Sequence, residues 1–127
     1  MFGSTGTTMI TNVVNQYIGV GAVSTASAAA VDVPIPATNA SNFTATVLRI
    51  VLDQSPGGTA GYVFTVTKNG TDTSLKCTVT APALKCVDVT AGHSFNAGGG
   101  DTIGVHVTVN GAPGPVLPRW SVGLTQP

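Results

Sequence analysis

The segment Thr102–Asn110 alternates apolar and polar residues more strictly than any other part of the chain. Its apolar positions are the β-branched residues Ile103, Val105, Val107 and Val109. Successive side chains of an extended strand point to opposite faces of a sheet, so this spacing places all four on one face. The segment therefore predicts a β-strand with one side in a core and with His106 on the other side.

Similar patterns recur along the chain and predict about eight strands. They lie at residues 31–36, 43–53, 62–68, 73–80, 85–90, 102–110 and 120–124, after an extended segment at residues 9–18. In the longest, Leu48, Ile50 and Leu52 share one face, and Val47 and Val51 are apolar enough to be buried on the other. The 16 Gly and 8 Pro residues supply turns, and helix signals are nearly absent.

This pattern predicts an all-β protein, an antiparallel jelly-roll β-sandwich of about eight strands. An immunoglobulin-like sandwich is the alternative, but its Cys…Trp…Cys order is absent because Trp120 follows both cysteines. Residues 1–30 are poor in large apolar groups and predict an extended N-terminal arm outside the core. Residues 31–127 are then the sandwich domain, which is predicted to stay folded when residues 1–20 are removed.

Charged residues are unusually few, at 8% of the chain, and five basic residues balance five aspartates. Without a basic excess, the sequence gives no reason to expect binding to nucleic acid or to an anionic membrane. It also contains no apolar run of 18 residues that would predict a transmembrane helix. So few charges favour a surface that is covered by other copies of the chain or by another protein, although a surface rich in Thr, Ser and Asn is the alternative.

The residues that could support catalysis are sparse and scattered. His93 lies in a predicted turn, and His106 points away from the core, which is more typical of a surface or interface histidine than of a general base. Asp88, His93 and Cys86 give only a weak metal signal, and turn chemistry explains them better. The sequence therefore predicts a non-enzymatic protein with no catalytic, cofactor-binding or metal site.

The two cysteines, Cys77 and Cys86, leave two alternatives open. They could close one small loop as a disulfide, which would stabilise the fold by about 2–3 kcal/mol. They could equally be two buried thiols of a protein made in a reducing cytosol.

One stretch is more specific than the rest. A glycine-rich loop at residues 56–61 precedes a strand, a Lys68-Asn69-Gly70 turn, a Thr-x-Leu-x-Cys-Thr strand, a Gly100-Asp101 turn, the alternating valine strand and a closing Trp120-Ser121-Val122 strand. Over residues 43–124 this order resembles the jelly-roll modules of tailed-bacteriophage capsid decoration (cement) proteins and fibre proteins, which are similar to C1q/TNF-like jelly rolls.

The resemblance implies a homotrimer that decorates a phage head. Its partner would be the major capsid protein, and its location the outer capsid surface of the virion, after synthesis in the host cytoplasm. The arm would bind this partner through Ile10, Val13, Val14 and Ile18. Arg49, His106, Arg119 and Trp120 are candidate subunit-interface residues, with core packing as the alternative for Trp120 and solvation for Arg119. The rival interpretation is a receptor- or glycan-binding module of a tail or head fibre, whose site would be formed by Trp120, Tyr62 or the Gly/Pro loops.

Overall fold

The protein folds into two antiparallel β-sheets that share one hydrophobic core, as in a β-sandwich. The computed structural model describes residues 2–25, 27, 31–35 and 43–125. Its strands are β1 (Phe2–Ser4), β2 (Gln16–Ile18), β3 (Val23–Ser24), β4 (Val33–Pro34), β5 (Phe43–Leu52), β6 (Gly61–Lys68), β7 (Thr71–Thr80), β8 (Lys85–Asp88), β9 (Phe95–Ala97), β10 (Thr102–Asn110) and β11 (Pro118–Thr125). The all-β prediction is confirmed. Within the described ranges, no helix is long and apolar enough to cross a membrane.

The first sheet has the strand order β1-β11-β5-β8. Short strand β9 pairs with the beginning of β5, whereas β8 pairs with its end, so both lie along the same edge of β5. The pairing of β5 with β11 is the longest in this sheet and shifts register between Gly123 and Leu124. Strands distant in sequence therefore become neighbours, with the first described strand beside the last.

The second sheet has the strand order β3-β2-β10-β6-β7, and β4 also pairs with β10. The strictly alternating segment is its central strand β10, which pairs with β6 over eight residues. An Asn69-Gly70 turn joins β6 to β7, and both turn residues have positive φ, which favours this pair in a tight hairpin. The longest strand at an edge of this sheet is β7.

The core lies between the two sheets and contains the side chains that alternation predicted to face inward. Leu48, Ile50 and Leu52 of β5 are buried. They meet the inward residues of the second sheet, namely Tyr62, Phe64, Val66, Leu75, Val79, Ile103, Val105 and Val107. The expectation that both faces of β5 are buried is wrong for Val51, which is 47% exposed. The outer face of the first sheet is open to solvent at this point.

The N-terminal residues are part of the two sheets, which differs from the expected arm. β1 pairs with β11, and β2 pairs with β10. Between them, Ile10 forms a bridge with Val116, and both Ile10 and Ile18 are completely buried. Within the predicted arm, Met1, Ala26 and residues 28–30 lie outside the described residues, as does Pro36 at the end of the predicted strand 31–36. The boundary expected at residue 30 thus does not separate the core from its surroundings.

A close contact between β1 and β11 explains one glycine of the N-terminal segment. Gly3 lies opposite Trp120 in the register, and a Cβ atom at Gly3 would overlap the indole ring. The ring nitrogen Nε1 of Trp120 donates a hydrogen bond to the carbonyl oxygen of Gly19 at 3.5 Å. Trp120 is only 2% exposed, so the N-terminal segment covers it.

A disulfide joins the two sheets at one side of the sandwich. It links Cys77 of β7 to Cys86 of β8, nine residues later, and the described residues contain no free cysteine. Of the two alternatives for this pair, the structure therefore has the disulfide. By restricting the unfolded chain, a closed loop of this length stabilises the native state by about 2–3 kcal/mol.

Candidate functional site

The outer face of the first sheet brings three cationic side chains together around two valines. We call the set Arg49, Val51, Lys85, Val87 and Arg119 the cationic face. In the register, Val51 lies between Arg119 and Lys85, and Arg49 pairs directly with Val87. Adjacent strands are about 4.8 Å apart, and residues two apart on one strand are separated by about 7 Å. The three cations therefore surround Val51 within a small area.

Strand periodicity puts these residues outside. Because Leu48, Ile50 and Leu52 point into the core, Arg49 and Val51 must point away from it. The same rule applies to β8, where buried Asp88 and half-buried Cys86 alternate with exposed Lys85 and Val87. Arg49 and Arg119 were predicted from the sequence as interface residues, whereas Lys85, Val51 and Val87 were not. The alternation in β8 was the available signal, but which strand lies beside β5 is not encoded locally.

The cations of this face have no partner within the described part of the chain. The ion pairs among the described residues join Lys68 to Asp101, His93 to Asp88, and His106 to Asp72. Arg49, Lys85 and Arg119 also make no side-chain hydrogen bond there. One carboxylate, that of Asp53, lies just beyond the end of β5 and accepts a hydrogen bond from the Leu117 amide at 2.8 Å.

The cationic face is shallowly concave. A groove of about 420 Å³ is lined by Arg49, Ile50, Val51, Lys85, Cys86 and Val87. A second depression of about 210 Å³ adjoins it, with Val51, Asp53 and Arg119 on its wall. Val51 and Val87 are 47% and 48% exposed, so apolar surface is accessible between the charges. A surface of this kind fits contact with another macromolecule better than enclosure of a small molecule.

His106 lies on the outer face of the second sheet, as alternation predicted. Its ring stacks on Tyr17, with ring centroids 4.7 Å apart. Its Nδ1 atom is 2.9 Å from Asp72 Oδ1, and its Nε2 atom is 2.8 Å from Asn15 Oδ1. The side chain is only 14% exposed. Both ring nitrogens therefore have partners within the chain, and His106 is a local connection between β2, β10 and β7.

Asp88 connects the two sheets beside the disulfide. Its buried carboxylate accepts hydrogen bonds from the backbone N–H groups of Lys76 on β7, at 3.0 Å, and Thr90, at 2.9 Å. His93, in the 3-10 turn Ala91–His93, places Nδ1 2.7 Å from the same carboxylate. Burial by itself raises the pKa of Asp88. The hydrogen bonds that the carboxylate accepts from Thr90, His93 and Lys76 lower the pKa by more than burial raises it, and hold it well below its usual range.

We expect Asp88→Asn to destabilise the protein by about 2–3 kcal/mol near neutral pH. The neutral amide replaces a buried carboxylate, so the strong hydrogen bonds to the charged group are lost. The folded-state pKa of Asp88 is lowered. Its stabilisation is therefore complete above the unfolded pKa of about 3.9 and is lost progressively as the pH falls from that value through the folded-state pKa. Urea unfolding at about pH 5.5 and at about pH 2.5 measures the effect. The difference in unfolding free energy between Asp88→Asn and the wild type should be smaller at the lower pH.

Asp53→Asn is the matched control for this experiment, because Asp53 is exposed and accepts one backbone hydrogen bond. We expect it to change the unfolding free energy by less than about 1 kcal/mol. Equal effects of the two substitutions at every pH would contradict the role assigned to Asp88.

Asp32 and Thr67 form a small polar cluster over the second sheet. Asp32 Oδ2 accepts a hydrogen bond from the Thr102 hydroxyl at 3.2 Å, whereas Asp32 Oδ1 and Thr67 Oγ1 are buried without a partner in the described residues. A Cβ atom at Gly104 would overlap the Asp32 carboxylate, which accounts for glycine at this position of β10. Burial raises the pKa of Asp32, although the Thr102 hydrogen bond opposes the shift.

Several predicted site residues are not available at the surface. Trp120 was a candidate interface residue, but it is 2% exposed and belongs to the core, which corrects that assignment. Ile10 and Ile18 were candidate partner-binding residues, and their complete burial leaves them no surface for a partner. Val13 and Val14 are exposed on the connection from β1 to β2.

The titratable side chains in the part of the chain that the structure describes can be compared with those of metal centres and activated nucleophiles. No group of three or more His, Cys, Asp or Glu side chains there could hold a metal ion. The described hydrogen-bond partners of the two imidazoles are Asp88 for His93, and Asp72 and Asn15 for His106. Neither imidazole is bonded to a serine or threonine hydroxyl that it could activate.

Comparisons with protein-family models, with curated proteins and with solved structures found no match to this chain.

Proposed function

We propose that the protein is a non-enzymatic viral structural protein, a capsid decoration (cement) protein that binds the mature head of a tailed phage and stabilises it. The observation that carries the proposal is the cationic face. In a chain with ten charged residues, three cations that have no ion-pair partner among the described residues meet two exposed valines on one sheet surface. Such a surface favours attachment to a protein.

The proposed fold is a jelly roll, and strand order supports it. The eight main strands are numbered 1 to 8 in chain order, with β8 and β9 taken together as strand 6. They are β1, β2, β5, β6, β7, β8 with β9, β10 and β11. One sheet then has the order 1-8-3-6, and the other contains the order 2-7-4-5. Consecutive strands therefore often alternate between the sheets, as expected when a long antiparallel hairpin wraps around a core.

Burial of the aromatic residues disfavours the rival function, a glycan-binding module of a phage fibre. A sugar ring is held by stacking on an exposed aromatic side chain, yet Tyr62 and Trp120 lie in the core. The ring of Tyr17 is stacked on His106. Phe43 and Phe95 are half-buried, so no described aromatic side chain is among the exposed large apolar residues.

The proposed mechanism is stabilisation by mass action. A protein that binds only the mature shell stabilises it by RT ln(1 + [L]/Kd), which is about 2.7 kcal/mol at 100 times the dissociation constant. The proposed partner is the major capsid protein, and the proposed location is the outer capsid surface of the virion, after synthesis in the host cytoplasm. Cyclic symmetry as a homotrimer would present three copies of the cationic face to the shell.

The first test is the native mass of the purified protein, by native mass spectrometry and light scattering. We expect a species of three times the 12.6 kDa chain. A monomer that remains monomeric when bound to shells would contradict the trimer.

The second test is cosedimentation with expanded shells assembled from the major capsid protein of the same genome. We expect saturable, stoichiometric binding and a higher temperature of shell disassembly. Unexpanded procapsids are the matched control and should bind little. Absence of binding to expanded shells, or glycan binding in its place, would overturn the proposed function.

A further inference from the structure

We propose that the cationic face binds an acidic protein surface, one that presents two or three carboxylates around a small apolar side chain. The inference rests on the proposed function in one respect, because it locates that partner surface on the shell protein. Its physical basis is independent of the shell and lies in the charges, valines and concavity of the first sheet.

Charge separation over the molecule supports an acidic partner. The chain is neutral as a whole, yet three of its five cations lie on the outer face of the first sheet. The other two, Lys68 and Lys76, belong to the second sheet, and Lys68 pairs with Asp101. Even with Asp53 at its border, the cationic face has a net positive charge. It therefore carries most of the positive side chains of the chain and attracts carboxylates.

A second copy of the chain does not fit the cationic face in a two-fold arrangement. A two-fold interface places the same patch against itself, so three cations would oppose three cations. Like charges brought together cost free energy, and among the described carboxylates only that of Asp53 borders this face to offset them. The occupant must therefore supply the negative charge.

The exposed valines favour a protein over a polyanion such as nucleic acid. Val51 lies between Lys85 and Arg119, and Val87 lies beside Arg49, so each row of charge contains accessible apolar surface. Affinity for a phosphate backbone grows with the number of phosphates that cations neutralise, and apolar side chains between the cations add nothing to this electrostatic contribution. An acidic protein surface can satisfy both kinds of contact at once.

The test compares Arg49→Glu and the double variant R49E/R119E with Lys76→Glu. The control removes one cation from the outer face of the second sheet, with the same charge change as Arg49→Glu. Arg49, Arg119 and Lys76 are exposed, so we expect all variants to unfold within a few degrees of the wild type. The double variant should bind expanded shells at least about tenfold more weakly, and Lys76→Glu within about twofold of the wild type.

A second measurement does not depend on the shell. The labelled protein is titrated with a synthetic peptide of alternating Glu and Val residues while backbone amide resonances are followed by NMR. We expect shifts confined to the neighbourhood of β5, β8 and β11, lost in R49E/R119E and weakened by salt. A peptide with Lys in place of Glu should produce none.

The possible outcomes separate this inference from the proposed function. If wild type and R49E/R119E bind shells equally, the inference fails and the function stands. If the wild type does not bind shells, the function fails and the peptide titration decides the inference. The inference also fails if the peptide shifts lie elsewhere or are absent. It fails likewise if a DNA oligonucleotide or an anionic vesicle binds the face as tightly as the peptide does, or if R49E/R119E dissociates the native oligomer.

Discussion

A chain without residues 1–20 is expected to be unfolded. The deletion removes β1 and β2, and with them Ile10 and Ile18, which are completely buried. Burial of each isoleucine contributes about 1.5–3 kcal/mol, and the loss of cover over Trp120 adds to the cost. Together these losses are comparable with the total stability of a small domain, which is about 5–15 kcal/mol. Far-UV circular dichroism and amide proton dispersion should both report an unfolded chain.

The double substitution Val13→Ser and Val14→Ser is the control for this deletion. Both side chains are exposed in the same N-terminal segment, and we expect the unfolding free energy to change by less than about 1 kcal/mol. A truncated chain that unfolds cooperatively within a few degrees of the full chain would show that residues 1–20 are an arm after all.

Trp120→Ala is expected to cost about 3–5 kcal/mol, the usual range for removing a large buried aromatic side chain. The ring is 2% exposed, lies against Gly3 and donates to the Gly19 carbonyl. Urea unfolding at fixed pH measures the loss, and Arg119→Ala, at the exposed neighbouring position, should cost less than about 1 kcal/mol. A small cost together with a lower native mass would instead place Trp120 in a subunit interface.

The central strands were predictable because their information is local. In β10, the alternation of β-branched residues specifies both the strand and its inward face, and the same holds for Tyr62, Phe64 and Val66 of β6. The Asn69-Gly70 turn is likewise encoded by two adjacent residues that accept positive φ. One face of each strand could therefore be assigned before any pairing was known.

The N-terminal strands were not predictable in the same way. β1 and β2 have three residues each, too few for a period of two to be distinguished from chance. Their partners, β11 and β10, are about a hundred residues distant in the chain. The role of Gly3 depends on the ring of Trp120, and no local pattern connects these two residues.

The candidate site was predicted in part for a similar reason. Arg49 and Arg119 could be identified as outward residues from alternation, but their neighbours depend on which strands pair with β5. Lys85 and Val87 join them only because β8 lies along the edge of β5. Trp120 alternates in phase with Val122, and this pattern is compatible with a place in the core or in a subunit interface. Only the tertiary structure distinguishes these two locations.

The Asp88 carboxylate also covers part of the exposed edge of β7, the longest edge strand of the second sheet. β7 lies at the end of its sheet, where unpaired backbone groups could template the addition of another chain. Asp88 occupies the Lys76 N–H, and the neighbouring Cys77–Cys86 bond holds β8 nearby. Protonation of this carboxylate in acid weakens the hydrogen bond that it accepts from the Lys76 N–H, and this backbone group of the edge strand then becomes more accessible to another chain. We therefore expect Asp88 to contribute both to stability in acid and to the protection of this strand edge.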